Sequence, residues 1–420
     1  MTMVSLLTIT LVLTTTASAL GQKPATSTPT PLASLLAEAK RNNSGIKTAN
    51  DAWRAAEQVP RQVSTLPDPT FTYQNMSVGS PRPFAGYTTN NFAYIGIGAS
   101  QELPYPGKLR LRGEVAKRAA DVKQADLDAT MDSVADAVKV DYIRLAYLQK
   151  TLVILRENEK VLDQLIQDAT AHYAVGQGSQ ADVLQAQVER TKILREITLN
   201  NEERGDAEAE LKGLLHRDQD SPDIIAESLE EHPLLLTSAE LLQLVRRQNP
   251  QIQVDASSIK EKNAALASAK RDGKPDFGLA YMWQQNDRKY PDYYMFTLNI
   301  HFHRRRRFHA KVAEAAEMLA QSKEELDSHL QEQLAQVQRG YVKVTNDEEL
   351  LKEYREGLIP QSIAAYRSTL SSYASNRDVM THVLLYFVNV LDMKLDEAQV
   401  LADHETVLAH LETLTGATLR

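Results

Sequence analysis

Two groupings of histidines are the residues here whose type and spacing come nearest to chemistry. His404-Glu-Thr-Val-Leu-Ala-His410 has the opening of a zinc-protease helix, but its second histidine lies six residues on. An i,i+4 pair shares a helix face and an i,i+6 pair does not, so the two rings cannot hold one metal. His301, His303 and His309 flank Arg304-Arg-Arg-Arg307. Alternate strand positions would put the first two on one face, as a metal site needs. The adjacent arginines repel a cation, which favours a basic collar over a metal centre. Gly96-Ile-Gly98 lacks the third glycine of a dinucleotide loop and sits inside a strand pattern. Most Asp and Glu residues fall on long helical stretches, where they read as solvated i,i+4 partners. The chain has no cysteine, hence no disulfide and no thiol chemistry. No nucleophile with its base, no metal set and no cofactor loop stands out. The reading is a protein that is not an enzyme and has no cofactor.

The elements that would position any site are written twice, about 200 residues apart. The first half has a helix from Leu32, then Leu66-Pro-Asp-Pro69, a strand-like stretch, a polar loop and a second strand ending near Leu103. A long polar helix follows to Tyr173-Ala-Val-Gly-Gln-Gly-Ser179, and another begins at Gln180. The second half has a helix from Ser238, then Lys274-Pro-Asp276, a strand to Trp283, a loop from Asn286 to Pro291 and a strand ending near His303. Its long helix runs to Tyr373-Ala-Ser-Asn-Arg-Asp378, with the next beginning at Val379. The fold class is therefore mainly α with a small β part, built as a duplicated helix–strand–strand–helix–helix unit. The expected organisation is a signal peptide over 1–19, a flexible mature N-terminus over 20–31, a first repeat over 32–216, a linker over 217–236 and a second repeat over 237–416.

Composition narrows the class. The chain is 43% hydrophobic and only 6% aromatic, which suits long helices buried along a seam better than a compact core. A net charge of −8 speaks against nucleic acid as a partner. Val4 to Thr16 is an apolar and hydroxyl-bearing run followed by Ala17-Ser18-Ala19, the pattern of a cleaved secretory signal, although no Lys or Arg precedes it. From Lys108 to about His172 the chain runs without proline, which is about 100 Å of helix at ~1.5 Å per residue. Gly176 to Ser179 turns it, with Ser179 as N-cap.

No later apolar stretch is long enough for a transmembrane helix, so a membrane location requires a β-barrel. The strands fit one. In the second, Ala93, Ile95 and Ile97 alternate with small or polar residues; in the fourth, Phe296, Leu298 and Ile300 do so. That is the pattern of a strand with one face in lipid. Four such strands cannot close a barrel, because the smallest have about eight. Four strands from each of three chains give twelve, which suggests a homotrimer.

Three features together resemble the TolC family of bacterial outer-membrane efflux proteins, over about residues 32–416. They are the duplicated architecture, the stretch Leu103-Pro-Tyr-Pro-Gly-Lys-Leu-Arg-Leu-Arg-Gly-Glu-Val115, and Tyr173-Ala-Val-Gly176 followed by Asp182-Val-Leu184. The second resembles the strand-to-helix transition of heavy-metal-efflux branches, and the third the family's helical-hairpin tip. The resemblance implies a homotrimer with a 12-stranded transmembrane barrel in outer-membrane lipid and a long periplasmic barrel of helices. It implies docking of a periplasmic membrane-fusion adaptor and an inner-membrane pump of the resistance-nodulation-division type. The docking tips would be Tyr173, Gly176, Gln177, Gly178, Ser179 and Asp182 in the first repeat and Tyr373, Asn376, Arg377 and Asp378 in the second. The second tip departs from the pattern, with Asn376 in place of glycine; Asn also tolerates a left-handed turn. Where some members carry Asp at the narrow periplasmic entrance, an ungapped comparison places His382 and Leu385 here. The basic stretch Arg304–Arg307 then falls at the periplasmic rim of the barrel, near anionic headgroups. The alternative is a periplasmic or secreted coiled-coil scaffold whose hairpins are small capping sheets. The exported substrate, whether metal ion, drug or other small molecule, is not legible.

Overall fold

The computed structural model describes residues 29–286 and 291–419. The expected signal peptide, most of the expected mature N-terminus and most of the second hairpin loop lie outside them. The first repeat runs α1 (Leu32–Asn42), α2 (Ser44–Ser64), β1 (Thr70–Met76), β2 (Tyr94–Leu103), α3 (Lys108–Ala174) and α4 (Gln180–Leu215). The second runs α5 (Ser238–Gln248), α6 (Pro250–Asp272), β3 (Asp276–Gln285), β4 (Tyr293–His301), α7 (Arg305–Glu353), a π-helical turn (Tyr354–Leu358), α8 (Ile359–Ala374) and α9 (Met380–Thr415). No described helix is long and apolar enough to cross a membrane.

Three breaks divide helices that the sequence reads as continuous, and each has a local cause. At Asn43 the backbone turns extended, and the side-chain oxygen accepts from the Gly45 and Ile46 amides (2.8 and 3.2 Å). Its amide donates to the carbonyl of Leu214 at the end of α4 (2.9 Å). Asn249 repeats the device: it accepts from the Ile252 amide (3.0 Å) and donates to the Leu414 carbonyl at the end of α9 (2.8 Å). One asparagine thus caps a helix start and satisfies the terminal carbonyl of another. The third break precedes Pro360, which has no N–H and whose ring crowds the carbonyl four residues back. The turn Tyr354–Leu358 widens to π geometry just there.

The core is a set of seams, as the low aromatic content suggests. Leu155, Leu162, Leu165 and Ala169 of α3 meet Ala186 and Ile193 of α4 and Val383, Leu384 and Phe387 of α9. Leu35, Val138, Leu145, Leu211 and Leu215 form a second cluster, and Leu241, Val245, Val337, Val344 and Leu411 a third. The segment joining the repeats packs tightly. Ile224 and Ala226 are buried in the second cluster, and the Ala226 amide donates to Gln149 of α3 (3.1 Å).

The four strands form one antiparallel sheet in the order β1-β2-β3-β4. Its middle pairing, β2 with β3, joins the two repeats, with Ile97 opposite Trp283 and Leu103 opposite Phe277. Below it, Lys108 at the start of α3 reaches Asp276 at the start of β3 (2.8 Å) with its side chain 1% exposed. Arg271 of α6 donates to the Pro106 carbonyl and lies over the Tyr105 ring.

Candidate functional site

The two hairpin tips have the same backbone, at positions offset by 200. Gly176 and Asn376 are both left-handed (φ 73° and 56°). The Gly176 amide donates to the Tyr173 carbonyl (3.0 Å), and the Asn376 amide to the Tyr373 carbonyl (2.9 Å). Gln177 and Arg377 donate to the carbonyls of His172 and Ser372, both at 2.9 Å. These paired bonds close each helix and satisfy its last carbonyls. The caps that follow differ. Ser179 and Asp182 form a reciprocal capping box at the start of α4. In the second tip Val379 cannot cap; Asp378 instead accepts from the Val379 amide (2.8 Å) and from His382 Nδ1 (2.6 Å). The Val379 amide, then His382, hold the Asp378 carboxyl below its ordinary range.

Exposure separates the named tip residues. Tyr173 is 49% exposed, and Gly176, Gln177, Ser179, Asn376, Arg377 and His382 are exposed. Tyr373 is only 6% exposed, so its place among outward-facing tip residues is corrected. Its ring stacks on His172 of the other tip, with centroids 4.9 Å apart. It therefore couples the two hairpins from inside. Thr381 adds a bond to Gln185 across the same gap (3.1 Å). His172 and Gln185 were not singled out by sequence, because nothing local marks a contact between residues 200 apart.

The register sorts the sheet into two faces. Tyr73, Ile97, Trp283 and Tyr294 lie in one row across the four strands; Phe71, Ala99, Tyr281 and Phe296 lie in the next. Leu279 with Leu298, and Phe277 with Ile300, continue that face. The opposite face carries Thr72, Gln74, Gly96, Gly98, Ser100, Glu102, Gly278, Thr297 and Asn299, together with the larger Tyr94, Met282, Tyr293 and Met295. Phe71, Tyr73, Ile97, Tyr294, Phe296 and Leu298 are all more than half exposed. Ile95 shares their face, opposite Asn75 and Gln285. Ala93 does not belong with them. It precedes β2 and is fully buried, two residues after Asn91, whose carbonyl accepts from the Asn286 side-chain amide (2.8 Å). The outer edges of β1 and β4 have no strand partner among the described residues.

Residues 35–216 match the sequence pattern of the outer membrane efflux protein family. They belong to it. The match covers the first repeat, and the second repeat carries the same elements in the same order. No curated protein matches the chain in sequence. Solved structures match it in fold over nearly the whole length. CusC, described with its transmembrane channel formation, superposes with a TM-score of 0.77 at 15% identity over 92% of both chains. VceC, an outer membrane protein of Vibrio cholerae, gives 0.76 at 14% identity over 93% of this chain and 97% of its own. The MtrE outer membrane channel of Neisseria gonorrhoeae gives 0.75 at 17% identity over 93% and 89%.

Within this fold the candidate chemical residues do not converge. His404 is fully buried and pairs with Glu405 (3.2 Å), which also accepts from the His232 amide and ring (2.9 and 3.0 Å). Burial opposes charge on His404, but Glu405 and Glu348 outweigh it and raise the ring above its ordinary value. His410 faces away to Asp136 (2.9 Å), whose carboxylate raises it despite burial. His404 and His410 thus serve two separate ion pairs. His301 opposes Asp276 on the polar side of the sheet, while His309 lies on α7. Among the described residues no group of three or more His, Asp or Glu side chains could hold a metal ion.

Proposed function

We propose that this chain forms the outer-membrane channel of a tripartite efflux system: a passive homotrimeric duct that carries metal ions, drugs or other small molecules out of the cell. The observation that carries this reading is the two-faced sheet. One face presents rows of Phe, Tyr, Ile and Leu to the outside, and the other is mostly glycine and polar side chains, with Tyr94, Met282, Tyr293 and Met295 towards one end. That segregation suits lipid on one side and water on the other. Four strands with two open edges need more strands before every backbone group is paired. Three copies supply twelve, and α3 then extends about 100 Å below them at ~1.5 Å per residue.

The tips around Gly176 and Asn376 are the rigid, exposed turns at the far end, and we assign them to a periplasmic membrane-fusion adaptor. The matching inner-membrane pump is taken as the resistance-nodulation-division type, on the resemblance of Leu103 to Val115 to heavy-metal-efflux members. His382 is assigned to the periplasmic entrance on its exposure in the tip of the second hairpin. A periplasmic scaffold would leave the aromatic face of the sheet in water, a cost with no compensation.

Fractionation followed by planar-bilayer recording tests the reading. SDS-resistant, heat-modifiable trimers in the outer membrane and discrete conductance steps are expected. A soluble periplasmic monomer without conductance would overturn it.

A further inference from the structure

We propose that Arg304–Arg307 form a docking surface for the phosphate headgroups of anionic membrane lipid at the helix end of the sheet. The proposal rests on the channel reading above. It goes further by assigning a lipid class and the residues that bind it.

Three observations converge. All four arginines are exposed, and none makes an ion pair among the described residues. Two acids on that side are already paired: Asp272 with Lys311 (2.5 Å) and Asp276 with Lys108 (2.8 Å). Second, the arginines oppose their own helix. Arg305, Arg306 and Arg307 open α7, whose first turn holds no acidic residue and no side-chain cap. Cations at a helix N-terminus repel the helix dipole. The starts of α4 and α5 carry Asp182 and Glu240 in capping boxes, and at the basic start of α3 Lys108 is paired with Asp276. Among the described residues no acid pairs with these arginines, and an external anion would supply the balancing charge. Third, the patch continues the apolar face. Ile300 stands in the outward row, and Phe302, two residues on, is 78% exposed. The arginines follow at once, where a lipid layer bordering that face would change from acyl chain to headgroup. Successive helical residues turn by about 100°, so some of the four remain on the side of Phe302.

A cation near an anionic bilayer surface contributes roughly fivefold in affinity. With two arginines engaged per chain, roughly 25-fold selectivity for anionic over zwitterionic lipid is expected. The experiment uses the full-length trimer in nanodiscs of phosphatidylcholine with phosphatidylglycerol, counting retained lipids by native mass spectrometry. Wild type, R304Q/R305Q/R306Q/R307Q, R305Q/R306Q and a control, R246Q/R247Q, are compared. The quadruple variant should lose phosphatidylglycerol selectivity to within about twofold, the double variant should lose part of it, and the control should retain it. Salt at about 1 M should erase the wild-type selectivity, because screening then acts within ~3 Å. Wild-type selectivity in the quadruple variant overturns the proposal. So does equal loss in the control, or competition by inorganic phosphate at the lipid's own concentration, which marks a free-phosphate site. If the quadruple variant does not assemble, the double variant and the salt titration decide by the same criteria. Failure of the channel reading shows separately, as absence of wild-type trimers from the outer membrane.

Discussion

Removing Asp276 should damage the assembled protein far more than removing Lys108, although the two form one ion pair. The Lys108 ammonium donates to both Asp276 carboxylate oxygens (2.8 and 2.9 Å) and to the Lys274 carbonyl (2.7 Å). Asp276 also accepts from the Tyr105 amide (2.8 Å). The asymmetry lies in exposure: the lysine side chain is 1% exposed and the aspartate 27%. In Asp276→Ala a buried ammonium keeps one carbonyl and no counter-charge, which costs about 3–5 kcal/mol. In Lys108→Met the apolar stem stays packed and the carboxylate keeps the Tyr105 amide and reaches water. That loss is about 1–2 kcal/mol, near that of a hydrogen bond to a charged group. The double variant removes the orphaned charge and should be more stable than Asp276→Ala alone. The assay is the temperature at which the detergent-solubilised trimer dissociates, measured for all four proteins at one heating rate. Equal effects of the single variants, or no recovery in the double, would refute the buried-charge argument.

Three further outcomes are expected. Gly176→Val should weaken efflux-dependent resistance while trimers persist in the membrane, because a β-branched residue is strained at φ 73° by about 1–2 kcal/mol; Asn376→Gly should be nearly silent in the same resistance assay. Ile97→Arg should lower the yield of assembled barrel by the equivalent of about 2–4 kcal/mol, whereas Asn299→Arg, on the opposite face, should not. Equal yields on gels of outer-membrane fractions would mean that the outward face does not meet lipid. His404, raised above its ordinary 6.5, contributes stability that is complete below about pH 6.5 and is lost as pH rises through the higher folded value. Thermal dissociation scanned from about pH 6 to 9, the window above that ordinary value, should therefore show wild type losing stability, with a shallower slope in His404→Gln.

Periodicity and repetition in the sequence determined the element order, the two hairpins, the helical tips and their left-handed residues, and the alternation of Ile95 with Ile97 and of Phe296 with Ile300. These are local properties. A strand's dyad pattern and a helix's length depend on neighbours a few residues away, and a turn such as Gly176 to Ser179 is written in its own residues. The Asn43 and Asn249 breaks were not read from the sequence, because their cause includes bonds to the distant carbonyls of Leu214 and Leu414. Tertiary structure alone decided what crosses the repeats: the β2–β3 register, the Lys108–Asp276 pair, and the stacking that takes Tyr373 out of the exposed tip onto His172. It also withdrew Ala93 from the outward face, because strand alternation does not extend to a residue that precedes the strand and is fully buried. Such contacts join residues 100 to 200 positions apart. Their energy depends on which surfaces the fold brings together, and no local pattern in a single sequence records that.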